Sequence, residues 1–71
     1  MKLRFTNHAQ YRIGIDRLIS IEDVKHVINY PDKSKREDGV IISSKKIENG
    51  NLEVVYIVKG KEYVIVTTYY I

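Results

Sequence analysis

The apolar residues of this chain change their spacing once, and the change falls at its only proline. Ahead of Pro31, the residues Ile21, Val24, Val27 and Ile28 recur at intervals of three and four, the period of a helix with one buried stripe. Beyond Asp38, the blocks Val40 to Ile47, Leu52 to Val58 and Tyr63 to Tyr70 are rich in Val, Ile, Thr and Tyr and have the length of strands. Helical periodicity followed by strand composition predicts helices laid on a sheet, an α+β architecture. The 71 residues suit one core, so the expectation is a single domain over 1–71 with no separate catalytic domain.

Local signals set the expected order. Lys2 to Phe5 alternates polar and apolar, which fits either a short first strand or a frayed end. Thr6 stands where an N-cap belongs, ahead of a helix over about Asn7 to Asp16 with Ala9 and Ile13 inward. On that helix His8, Arg12 and Asp16 share a stripe at i, i+4 and i+8. Ser20 and Asp23 resemble a capping box opening the second helix, and Pro31 makes Tyr30 its stop. From Asp32 to Asp38 the chain is charged or polar without periodicity, which predicts a solvated, mobile connection. Asn49 and Gly50 offer the φ > 0 positions of a tight hairpin, and Lys59, Gly60 and Lys61 make a second turn.

The expected fold is therefore (β)ααβββ, two N-terminal helices packed on one face of a small antiparallel sheet. Its middle strand places Leu52, Val54, Tyr56 and Val58 on one face and Val55 and Ile57 on the other. The face without helices is then only partly polar and should meet a ligand, a partner or a second copy as a homodimer.

Composition narrows the function classes. The absence of cysteine removes disulfides, thiolate nucleophiles and cysteine-based zinc sites, and makes an intracellular, cytoplasmic protein the simpler reading. No apolar run reaches the length of a membrane span, so no membrane partner is expected. Twelve Lys and Arg against nine Asp and Glu give +3, which favours anionic partners without demanding nucleic acid. His8 and His26 sit on different helices with no carboxylate at ligand spacing, so neither a metal nor another cofactor is expected.

With these elements placed, Phe5 and Thr6, then His8 and Ala9, then Arg12 resemble the opening of the DUF4258 family of small bacterial and phage proteins. Arg17, Ile19, Ser20, Glu22, Asp23 and Val24 are similar to its second block, Pro31 and Asp32 to its proline turn, and Val66, Thr67 and Tyr69 to its last strand. The resemblance spans nearly the whole chain, with Leu18 departing from the family's usual Gly. It implies a fold like that of RelE, barnase and colicin-type ribonucleases, and with it RNA cleavage or a toxin role opposed by a cognate antitoxin.

Metal-independent RNA cleavage needs a base for the 2′-hydroxyl proton, an acid for the leaving 5′-oxygen and cations beside the phosphate. His8 is the candidate acid or base and Arg12 the bidentate phosphate holder. Thr67 and Tyr69, two apart on one strand face, can orient a phosphate or stack a base, with Arg17 and Lys45 as weaker phosphate contacts. Each residue also has a plainer reading: a solvated first-turn His8, an Arg12–Asp16 pair worth about 0.3–0.5 kcal/mol, Arg17 at a helix end, sheet-packing tyrosines. The rival function is a non-catalytic protein-binding, dimerisation or RNA-binding module that uses the open sheet face.

Overall fold

The computed structural model describes residues 1–16 and 18–71. The elements run β1 (Lys2–Phe5), α1 (Asn7–Ile15), α2 (Ile21–Asn29), β2 (Lys33–Glu37), β3 (Val40–Ile47), β4 (Gly50–Lys59) and β5 (Glu62–Tyr70). The five strands form one mixed sheet in the order β1-β5-β4-β3-β2. The α+β class stands, and the expected (β)ααβββ order is corrected to βααββββ.

The correction has two sources. The charged run after Pro31 is a strand, not a mobile loop: β2 pairs antiparallel with β3 from Lys33 opposite Ser44 to Glu37 opposite Val40. All five β2 residues are exposed, so an edge strand of this kind carries no apolar alternation, and its charges protect the outer edge from further pairing. Asp38 at φ 52° and Gly39 at φ 79° form the two-residue turn into β3. At the other edge β1 is a true strand, paired in parallel with the first half of β5, Leu3 opposite Tyr63 and Phe5 opposite Ile65. The β3–β4 hairpin also differs in detail, because Ile47 pairs with Gly50 and leaves Glu48 and Asn49 as its turn residues.

Both helices are capped as the sequence predicts. Thr6 Oγ1 accepts from the Ala9 N–H at 3.1 Å and donates to the Val66 carbonyl at 2.8 Å, so one hydroxyl starts α1 and fixes it to β5. Ser20 Oγ accepts from the Asp23 N–H at 3.0 Å at the head of α2. Ala9 from α1 and Val24, Val27 and Ile28 from α2 enter one core with Leu52, Val54, Tyr56 and Ile65. That core fills the space between the helices and one face of the sheet. The opposite face carries no helix. Among the described residues, no helix is long and apolar enough to cross a membrane.

Strict alternation along β5 would send Thr67 and Tyr69 to the same side as Tyr63 and Ile65, under the helices. A β-bulge prevents it. Val55 pairs with Thr67 but Tyr56 pairs with Ile65, which leaves Val66 as an extra residue. Beyond the bulge Thr68 and Tyr70 take the core side opposite Val54 and Leu52, and Thr67 and Tyr69 turn to the open face.

Candidate functional site

The open face is ordered in transverse rows. Across one row Lys33 pairs with Ser44, Ser44 with Glu53 and Glu53 with Tyr69, so four strands each contribute one polar side chain. The next row runs Lys35, Ile42, Val55, Thr67. Both rows meet α1 at the free half of β5, where β1 has already ended and the helix takes the sheet's edge.

At that margin the Arg12 guanidinium lies 5.8 Å from the centroid of the Tyr69 ring, a cation–π contact. The Tyr69 hydroxyl donates to Glu53 Oε2. That bond, followed by desolvation, pushes the Tyr69 phenol above its ordinary value, while the Arg12 charge works the other way. Beneath them Thr68 Oγ1 donates to the Glu53 carbonyl at 2.9 Å and holds the backbone of β4 against β5. Among the described residues Arg12 and Asp16 form no salt bridge, and the Asp16 carboxylate instead accepts from the Leu18 N–H at 3.0 Å.

α1 follows the direction of β5: Thr6 is tied to Val66 at 2.8 Å, Arg12 reaches Tyr69, and the Tyr70 hydroxyl donates to the Leu18 carbonyl at 2.7 Å. Four residues of helix advance about 6 Å, so His8 precedes Arg12 by about one turn of α1. His8 is exposed. The structure thus brings Arg12 to Tyr69 at the α1–β5 margin, with Thr67 two residues before Tyr69 on the same sheet face and His8 one turn before Arg12 on α1.

Two expected phosphate contacts fall elsewhere. Lys45 shares its register side with Leu52, and its ammonium lies 3.3 Å from Asp32 Oδ1. The Lys46 N–H, at 2.9 Å, and then Lys45 hold the Asp32 carboxyl below its ordinary value. Arg17 lies outside the described residues. His26 stands by Tyr30 with ring centroids 5.6 Å apart, at the end of α2. Among the described residues no three of His, Cys, Asp and Glu come together as a metal site requires.

The residue that the sequence reading overlooked is Glu53. The signal was present, because Glu53 is the single charge in the block from Leu52 to Val58, and a carboxylate on a central strand calls for a reason. Two concavities of about 360 Å³ adjoin on this face and share Lys33, Ser44 and Glu53 as lining.

Charge is partitioned along with geometry. By register the open face carries Lys2, Arg4, Lys33, Lys35, Lys46 and Lys59 against Glu37, Glu53 and Glu62. That gives the face the full +3 of the chain, and the remaining charged residues sum to zero. Arg4 and Lys2 approach Glu62 at 3.5 and 3.9 Å, and Lys35 approaches Glu37 at 3.4 Å. Among the described residues Lys33, Lys46 and Lys59 enter no salt bridge.

A small α+β domain with an uncovered mixed sheet, a basic open face and a helix-margin cluster of Arg, Tyr and Glu is the class this geometry defines. The chain belongs to the DUF4258 family, described as a domain of unknown function, which it matches over residues 5–70. No curated protein matches the chain. No solved structure matches it.

Proposed function

We propose that this protein is a metal-independent endoribonuclease that takes RNA across its open sheet face. The observation that carries the reading is the Arg12–Tyr69–Glu53 assembly at the edge of a face holding the chain's whole positive excess. A guanidinium beside a phenol and a carboxylate supplies what transesterification needs, a phosphate holder next to a proton acceptor.

In this reading the 2′-hydroxyl oxygen attacks the adjacent phosphorus while its proton passes to Glu53. The bond from phosphorus to the 5′-oxygen breaks, and His8 gives that oxygen its proton. The products are a 2′,3′-cyclic phosphate and a free 5′-hydroxyl. Arg12 and Thr67 hold the phosphate as its charge grows, and Tyr69 orients Glu53. Activity of this kind fits a toxin role in the cytoplasm, with an antitoxin that covers the open face.

The test is end-labelled RNA incubated with wild type, His8→Ala and Glu53→Gln in excess chelator. Wild type should leave cyclic-phosphate ends, and either substitution should slow cleavage by about 10²-fold or more. Uncleaved RNA with wild type sinks the enzyme reading.

A second reading rests on Ile42, Val55 and Ile57, half-buried apolar residues at the centre of the same face. They suit a protein-binding or dimerisation surface. Inactive wild type that sediments as a dimer would favour it.

A further inference from the structure

The row Lys33, Ser44, Glu53, Tyr69 does not end at the cluster beside α1. It crosses four strands and finishes at the opposite edge of the sheet, with Lys33 at one end and Arg12 at the other. Three interstrand spacings put Lys33 about 14 Å from Tyr69, and Arg12 lies beyond that ring. A single strand covers that distance with about four nucleotides if its bases are stacked, and with fewer if it is extended.

We propose that the concavities over β2, β3 and β4 form a second, non-reacting phosphate subsite centred on Lys33, so that an RNA strand crosses the sheet perpendicular to the protein strands. The proposal rests on the RNA reading above and adds where the remainder of the substrate lies. Three observations support it. Lys33 lines both concavities together with Ser44 and Glu53. Among the described residues it enters no salt bridge, whereas Lys35 beside it is engaged by Glu37 at 3.4 Å. The neighbouring row offers Ile42 and Val55, half-buried apolar side chains one strand repeat away, as a floor for base faces while phosphates sit at the two cationic ends of the polar row, clear of the Glu53 carboxylate between them. An acidic peptide would use the same cations, and competition with polyglutamate separates it from a polynucleotide.

The geometry assigns different duties to the two ends. Arg12 holds the scissile phosphate near His8, and Lys33 holds a phosphate that is not cleaved. Ser44, between them on the same row, presents a hydroxyl toward the sugar edge of the strand. Lys33 therefore sets affinity and the length of RNA that is felt, not the chemistry.

The experiment measures binding of fluorescent 2′-O-methyl oligouridylates of increasing length, which lack the attacking hydroxyl, to wild type, Lys33→Gln and Lys61→Gln. Lys61 lies in the β4–β5 turn, outside the open-face rows, and its substitution changes net charge by the same amount. Far-UV circular dichroism checks that each variant keeps its fold. Wild-type affinity should rise with length to about four nucleotides and then level. Lys33→Gln should weaken binding about fivefold and lower the salt slope by about 0.7, with Lys61→Gln close to wild type. Equal small effects of the two substitutions would overturn the subsite, as would displacement of the oligonucleotide by polyglutamate at equal charge. Cleavage of unmodified RNA distinguishes the two levels. If wild type cleaves and Lys33→Gln binds normally, the ribonuclease reading stands and the subsite falls. If Lys33→Gln loses affinity while unmodified RNA stays intact, the subsite stands as part of an RNA binder and the cleavage reading falls.

Discussion

Glu53 and Tyr69 face each other across two central strands, and each changes what the other does. The carboxylate accepts a hydrogen bond from the phenol, and the phenol thereby stays protonated to higher pH than a free tyrosine, whose ordinary value is 10.0. A group whose pKa is raised by folding stabilises the folded state fully below its unfolded value and loses that contribution as pH climbs through the folded value. Near-ultraviolet absorbance titration of wild type and Glu53→Gln should therefore show two tyrosines, Tyr69 and Tyr70, titrating late in wild type and one of them moving to lower pH in the variant. The stability difference between the two should shrink at strongly alkaline pH. Coincident titration curves would mean that the contact does not persist in solution.

Single residues also show why part of this site was readable in sequence and part was not. His8, Arg12, Thr67 and Tyr69 stood out because their types suit phosphate chemistry and their spacings, four on a helix and two on a strand, each give one face. The meeting of Arg12 with Tyr69 depends on how α1 crosses the edge of β5, which no local spacing encodes. Lys45 has the right chemistry, yet Asp32, thirteen residues away, holds its ammonium at 3.3 Å.

Among the elements, β2 and the bulge in β5 decide the site, and both were hidden for physical reasons. An edge strand exposed along its full length needs no apolar alternation, so Lys33 to Glu37 carries the composition of a loop. The bulge sits inside the apolar run Val64 to Val66, where either side chain direction can be buried and the pattern cannot register an extra residue. The α1–β5 junction is held by Thr6, which caps the helix and bonds Val66 at 2.8 Å. Thr6→Ala should cost about 1–2 kcal/mol in urea denaturation, since it removes a cap and a partly buried hydrogen bond together. It should reduce RNA cleavage by more than the loss of folded protein explains, because α1 carries His8 and Arg12. A purely proportional loss would show that the junction serves stability alone.

At the scale of the whole molecule the two sides divide the work. One side is apolar within, and it holds the helices. The other carries a net +3 spread over five strands. Binding of single-stranded RNA that neutralises about three phosphates should weaken with salt, with a slope of log affinity against log salt of about −2. A slope near zero would assign recognition to the apolar row instead of the charges.

The parallel pairing of β1 with β5 has a consequence for the life of the chain as it is made. Arg12 is synthesised early and Tyr69 late, and β1 has no partner strand until Glu62 to Ile65 exist. A growing chain that has completed β4 already possesses Arg12 and Glu53, yet Tyr69, which touches both, is missing. A fragment that stops before β5 therefore leaves β1 unpaired, Thr6 without its Val66 anchor and Arg12 without Tyr69, so the first strand and the first helix dock last.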